Sequence, residues 1–563
     1  MIQAGRSRNP EWLGALLTVT LTAVMISFNA TVPLSTYDGG ISASAATFTL
    51  HGLLPYRDYW LLYGPLSGFL LAIPTALLGP SIELTRGFGF VLFCCEAVVA
   101  YRLARVWAAR VPAIALSVSA VVMTPAMTSL DLSAWPIAMT FALAALYVSI
   151  GTGRSGIVIG LLVGFAFLSR LDVGAYALLS VLVVRDRRAV LLGFALIAIP
   201  FVAFALATTA PSSLFEQLIW FPLVGTRQFR SLPGPEVMFG QPTAALLSLP
   251  LLLLPRIAIA VGAIRLALIA AQGRRDPRFT GSLALVVFAA SCQLQTLGRA
   301  DVEHFSQAAT PGLLLFALWF STARPNLVRF SALTTITAAA MVVGLIGNRL
   351  HPDALGYDRT LIATSDWVRA ATNPEDRIFV GLTSHRYTVR NPLIVYYLAD
   401  HAPGVHDTMF NPGVTNTDWG QTRMVGDLER TAAPYLVLDR PSAGASEPYN
   451  DSRIPGSTML DDYITAHYHT VCDLGSLVIQ ARNDLLRPAP PCPVIEPQVG
   501  EISAWWPAVA RQAGRPTVAD GCPNSRANLV SDDQGGTVRP GFIARAVRGP
   551  VVHDDSLEST VQR

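Results

Sequence analysis

The stretch LYGPLSGFLLAIPTALLG, Leu62 to Gly79, decides how this chain is threaded through a membrane. By hydropathy alone it is the second span. Gly64, Pro65, Gly68 and Pro74 interrupt it, which suits a juxtamembrane or re-entrant helix better than a straight one. Flanking arginines give an independent criterion, because cytoplasmic loops carry excess basic charge close to helix ends. If 62–79 crosses, the clusters Arg102/Arg105/Arg110, Arg185/Arg187/Arg188, Arg274/Arg275/Arg278 and Arg324/Arg329 all fall outside. If it lies along the interface, every one of them falls inside. The interfacial reading is adopted.

The remaining apolar runs, most of them about 18 to 25 residues long, match the length needed to cross roughly 30 Å of hydrocarbon. They place eleven spans at 12–32, 85–107, 111–128, 132–150, 155–170, 172–184, 189–209, 243–271, 279–298, 304–322 and 330–348. The pair 155–184 is short enough to form a broken hairpin. The first run follows Arg6 and Arg8 and reads as a retained signal anchor with its N-terminus in the cytoplasm. Composition agrees with the class: 52% of the 563 residues are hydrophobic and only 14% are charged, too apolar for a soluble domain with a polar exterior. The expected fold is therefore a polytopic α-helical membrane protein, residues 1–350, with outer loops at 33–84 and 210–242.

An odd number of spans starting inside sends everything from about residue 350 to the outer face. There the apolar runs shorten to strand length, as in Arg377-Ile378-Phe379-Val380 and Tyr435-Leu436-Val437-Leu438, interleaved with helix-like stretches. This predicts an exported C-terminal α/β domain over 351–484, followed by a Pro- and Gly-rich, poorly ordered tail, 485–563. Cys472, Cys492 and Cys522 lie in this exported part, where oxidation is permitted, and Cys472–Cys492 is one of three possible pairings. All 41 basic residues are Arg, which we read as the codon bias of a GC-rich bacterial genome; the expected location is the plasma membrane. The net charge of +3 points to no nucleic-acid partner.

With this threading, scattered polar residues gather on one side. Tyr37, Asp38, His51, Arg57, Asp58 and Tyr63 lie in the first outer loop. Asp131 sits at the outer junction of the third and fourth spans, Arg170 and Asp172 at the next outer turn, and Arg299, Asp301, Glu303 and His304 at a later one. Each has a structural reading as well. Asp131 and Asp38 suit helix N-termini, and Arg170–Asp172 and Arg299–Asp301 suit ion pairs closing tight turns. The shared sidedness is what points to chemistry on the outer face.

Such a face fits transfer of a sugar from a lipid phosphate. Arg matches phosphate oxygens bidentately, and a carboxylate can take the proton of an attacking hydroxyl. A divalent cation, Mg or Mn, if one takes part, would be held by the carboxylates of Asp38 and Asp131. No GxGxxG or P-loop is present, so no nucleotide cofactor is expected.

The motifs resemble those of the GT-C superfamily of integral-membrane glycosyltransferases, in particular its dolichyl-phosphate-mannose-dependent and aminoarabinose-transferase-like branch. Tyr37-Asp38-Gly39-Gly40 falls at the position of that family's first-loop acid. His51 to Trp60 and Tyr63-Gly64-Pro65-Leu66 are similar to its next loop segment; Asp131 matches an acid at the start of the fourth span, and Arg299-Ala300-Asp301 with His304 a late outer-loop motif. The family often has Asp-Glu where this chain has Asp38-Gly39, so Asp38 works alone or Asp58 or Asp131 supplies the second carboxylate.

The resemblance implies inverting transfer from a polyprenyl-phosphate-linked sugar to an envelope glycan, lipid or protein acceptor. Asp38, Asp58 and Asp131 would be the catalytic candidates and Arg57, Arg170 and Arg299 would hold the donor phosphate. Tyr37, His51, Tyr63, Asp172, Asp301 and His304 would support them. The alternatives are a lipid-linked glycan ligase or polymerase, and a transporter or flippase of lipid-linked sugars. The latter would place its charges mid-membrane on broken helices rather than at span ends.

Overall fold

Residue 40 has no side chain, residue 68 has none, and between Asp38 and Leu50 the chain is built from Gly, Ser, Ala and Thr with one Ile, one Phe and one Leu. This composition lets helix α2 (Asp38–Leu50) be buried on nearly every side. The computed structural model describes residues 11–28, 36–127, 130, 132–151, 155–183, 186–225, 242–272, 279–298, 302–321, 353–386, 390–411, 413–440 and 456–495, all within one compact unit.

Helices make up the first part: α1 (Glu11–Ser27), α2, α3 (Leu66–Leu78), α4 (Ile82–Ala104), α5 (Arg110–Met127), α6 (Ala134–Gly151), α7 (Gly156–Ser169), α8 (Leu171–Val181) and α9 (Arg187–Thr208). The short α10 (Pro211–Phe215) runs into a π-type turn, Glu216–Gly225. Then come α11 (Pro242–Ala271), α12 (Phe279–Gln293), α13 (Gln295–Gly298) and α14 (Val302–Leu314). Among the described residues, four helical runs are long and apolar enough to cross a membrane: α4, α9, Leu252–Ala271 and Phe279–Leu297. The others are shorter, and the expected span 330–348 lies outside the described residues.

The stretch 62–79 yields α3, only 13 residues long. At 1.5 Å per residue this is about 20 Å, well short of hydrocarbon thickness. Its buried side (Gly68, Leu71, Ala72, Thr75) includes a close approach to α2, where a Cβ on Gly68 would stand 2.8 Å from Ala45 Cβ. Phe69, Ile73 and Leu77, one turn apart, form an exposed apolar stripe, Leu77 at 79%. The expected pair 155–170 and 172–184 forms α7 and α8, of 14 and 11 residues, broken where Arg170 turns extended (φ −145°, ψ 117°).

The C-terminal part holds a five-stranded mixed sheet: β1 (Arg377–Leu382), β2 (Ala402–Pro403), β3 (Tyr435–Asp439), β4 (Tyr468–Asp473) and β5 (Leu477–Arg482), in the order β2-β1-β3-β5-β4. β1 is parallel to β2 and β3, while β5 runs antiparallel to both β3 and β4. Alternation sorts its side chains onto two faces. Phe379, Leu436, Leu438 and Val478 pack under the helices Asp418–Thr431 and Met459–His467. Ile378, Val380, Tyr435, Val437, Ile479 and Ala481 belong to a core that continues without a break into Ile41, Phe48, Tyr59, Trp60 and Leu71. The sheet and the first loop thus share one hydrophobic core. Cys472 and Cys492 are joined as a disulfide, Cα atoms 5.3 Å apart.

Candidate functional site

α2 begins at Asp38 itself, so the carboxylate stands in the first turn, where a helix dipole favours an acid. Its partner comes from the α/β region: Arg390 Nη1 is 3.4 Å from Asp38 Oδ2. The Arg390 guanidinium also lies 5.7 Å from the centre of the Tyr37 ring. Tyr37 in turn donates its hydroxyl to the Phe410 carbonyl at 3.1 Å, with Asn411 Oδ1 at 3.3 Å. The Ile394 amide donates to the Thr36 carbonyl at 3.0 Å, closing the seam just ahead of the acid.

A second cluster is built where Gly64 meets the break between α7 and α8. The Gly64 amide donates to the Ser169 carbonyl at 3.2 Å, and a Cβ on Gly64 would strike the Leu168 carbonyl. This brings Tyr63 beside Arg170, whose guanidinium lies 5.3 Å from the Tyr63 ring centre and 4.8 Å from that of Trp135. Arg170 forks onto Asp172 with contacts of 3.0 and 2.9 Å. Burial pushes the Tyr63 phenol up to about 12; the Arg170 charge opposes this, and the carboxylates of Asp38, Glu303 and Asp172 add to it. Tyr63 therefore touches Arg170 directly and lies within electrostatic range of Asp38, Asp172 and Glu303.

Arg57 and Asp58 serve the loop instead. Arg57 forks onto Asp58 at 2.9 and 2.7 Å, and Asp58 accepts the Leu54 amide at 2.8 Å, which locks a tight turn around Tyr56 (φ 67°). His51 lies at the far end of α2, its Nε2 3.2 Å from the Asp400 carbonyl and 3.6 Å from the Asp400 carboxylate. Hydrogen bonding to Asp400 raises the His51 pKa, and His51 in return lowers that of Asp400. His304 is half-buried on α14 next to Glu303. Asp131, Arg299 and Asp301 lie outside the described residues.

Three side chains that the sequence reading did not single out have polar contacts of note. Arg390 is 352 positions from Asp38 and had no sequence signal. Glu303 was visible only as one charge of an outer turn. Arg256 was legible: it interrupts the apolar run of α11, and an ionisable residue inside a span is a functional candidate by default. Arg256 donates to the Leu252 carbonyl at 2.8 Å and to Thr296 Oγ1 at 2.9 Å, and lies 5.5 Å from the Phe305 ring centre. All of these partners are neutral. Among the described residues no three His, Cys, Asp or Glu side chains come together as a metal site.

No sequence-family model matches the chain, and no curated protein sequence does. Among solved structures the chain is similar to ArnT from Cupriavidus metallidurans in the apo state, with a TM-score of 0.52 and 13% identity over 84% of this chain and 98% of that one. It is similar also to the same protein bound to undecaprenyl phosphate, with a TM-score of 0.50 and 12% identity over 84% of this chain and 97% of the other. At such identities the likeness speaks for the fold alone: the chain is folded like these two ArnT structures.

Proposed function

We propose that the protein is a membrane glycosyltransferase that moves a sugar from a polyprenyl-phosphate-linked donor to an envelope glycan, lipid or protein acceptor on the outer face. One observation carries this reading: Asp38 heads α2 at the seam with the α/β region, with Arg390 against it at 3.4 Å. The undecaprenyl phosphate in the ArnT structure supports the donor class.

In this reaction Asp38 orients the acceptor hydroxyl and takes its proton as the oxygen attacks the anomeric carbon. The new C–O bond forms on the face opposite the breaking bond to phosphate, so configuration inverts. The electron pair leaves with the phosphate oxygen. Arg57 and Arg170 are each already matched by a carboxylate, whereas among the described residues the partners of Arg256 are neutral, so we assign Arg256 to the departing phosphate. The apolar stripe on α3 gives the polyprenyl tail a surface to lie along.

The test uses purified full-length protein in nanodiscs with a panel of radiolabelled polyprenyl-phosphate sugars, with and without EDTA. Label should leave the donor with release of polyprenyl phosphate, and Asp38→Asn should lower the rate by about 10²–10⁴-fold, the usual worth of a general base. A well-folded Asp38→Asn protein with full transfer would sink the assignment.

A further inference from the structure

Asp38 stands at the N-terminus of a membrane-side helix, yet among the described residues a cation paired with it comes from a different part of the fold. Arg390 precedes the helix Ile394–Ala399 of the α/β region and reaches Asp38 Oδ2 at 3.4 Å. The contact is single rather than a fork, so it constrains the carboxylate through one oxygen. Its geometry is set from both ends. The Tyr37 ring backs the guanidinium at 5.7 Å, and the Tyr37 hydroxyl is tied to the Phe410 carbonyl. On the chain's other side, Ile394 N–H grips the Thr36 carbonyl at 3.0 Å, and Gly40 lets the two backbones meet. Asp38 and Arg390 are both partly covered, their side chains 26% and 31% exposed, so the pair is less screened than one in open solvent.

We infer that Arg390 is a positioning residue for Asp38, contributed by the α/β region, which fixes the orientation of the carboxylate and balances its charge so that the α/β region completes the transfer site. The inference rests on the transferase reading above. Arg390 touches Asp38 and Tyr37. It acts through the acid, and through Tyr37, whose ring it covers.

Two measurements on the full-length protein in nanodiscs separate this role from the activity itself. The first reads Asp38 directly, by labelling with a water-soluble carbodiimide and glycine ethyl ester and quantifying the Asp38 peptide by mass spectrometry. Removing the paired guanidinium in Arg390→Gln should raise labelling of Asp38 several-fold, while Arg390→Lys stays near wild type. The second measures transfer from whichever polyprenyl-phosphate sugar the wild type uses. Arg390→Gln should lose roughly 10²-fold in kcat, as expected for a misplaced catalytic group. Donor KM should stay within about threefold, and Arg390→Lys should recover about tenfold or more of the loss, since a charge restored at that point is what a positioning role requires. Unchanged Asp38 labelling in Arg390→Gln overturns the inference, as does unchanged kcat. A loss carried by KM alone overturns it too, because that makes Arg390 a donor-binding group. Raised Asp38 labelling with no wild-type turnover on any donor overturns the transferase reading and leaves the pairing supported.

Discussion

A Cβ placed on Gly40 would stand 2.7 Å from the backbone nitrogen of Ile394 and 2.9 Å from Leu393 Cβ. α2 and the α/β region therefore meet at this point only because residue 40 carries no side chain. The same meeting holds the Ile394–Thr36 hydrogen bond and sets Arg390 against Asp38. Gly40→Ala should force the seam apart by a few tenths of an ångström or more and destabilise the protein by about 1–3 kcal/mol, the usual cost of overpacking. Gly40→Val should be worse. The melting temperature in detergent measures the first effect. Transfer activity should fall further than stability alone explains, since the acid moves with the helix.

Arg256 gives a sharper contrast with Arg57. Its guanidinium sits inside α11 with a carbonyl, a hydroxyl and an aromatic ring as partners, whereas Arg57 is matched by Asp58 on an exposed turn. Arg256→Gln should weaken binding of undecaprenyl phosphate in nanodiscs by roughly tenfold to a hundredfold, the equivalent of about 1.5–3 kcal/mol for a hydrogen bond to a charged group. Arg57→Gln should leave binding within about threefold. Equal affinities for the two variants would remove Arg256 from the phosphate site.

How far the sequence could be read depended on distance along the chain. The runs 377–380 and 435–438 are strands in the structure because short continuous apolar runs rich in β-branched and aromatic residues are decided locally. The break at Arg170 and the short helix of 66–78 were legible for the same reason: Gly, Pro and charge act on their own neighbourhood. Likeness in fold to ArnT agrees with the resemblance drawn from short motifs around Asp38. The pairing of that acid was not. Its contact comes from residue 390, and no local pattern encodes which arginine of a separate region will reach a given carboxylate. Arg57 and Asp58 differ in the opposite way. Their proximity to Asp38 in sequence suggested a shared site, but neighbouring charges of opposite sign satisfy each other, and they do so here on a turn of their own.

The first loop depends on one buried amide. Gln217 accepts the Leu61 amide at 2.9 Å and donates to the Tyr56 carbonyl at 2.9 Å and to Ser213 Oγ at 2.8 Å. The residue is fully buried, so water cannot replace it. Gln217→Leu has a similar size but leaves a buried N–H without its acceptor, at a cost of about 1–3 kcal/mol. It should lower the melting temperature and loosen the segment 54–61, seen as faster amide hydrogen exchange there. Protection unchanged in that segment would show that the loop is held by its apolar packing alone.

The His51–Asp400 contact should make the seam pH-dependent, in a direction fixed by two opposite shifts. His51 is raised above its ordinary 6.5, chiefly by the hydrogen bond to Asp400, so its contribution to stability is complete below about 6.5 and is lost as pH rises through the raised value. Asp400 is lowered below its ordinary 3.8, chiefly by the hydrogen bond from His51, so its contribution is complete above about 3.8 and is lost as pH falls through the lowered value. The pair is therefore worth most at mildly acidic pH. Asp400 is about half exposed, which screens the interaction and keeps it modest. His51→Gln retains a hydrogen-bonding side chain but cannot become charged. The gap in melting temperature between wild type and His51→Gln should be widest near about pH 6 and close toward about pH 9, where both proteins are neutral at residue 51. A gap that stays constant across that range would mean that the imidazole contributes through packing and the Asp400 carbonyl, with no part played by its charge.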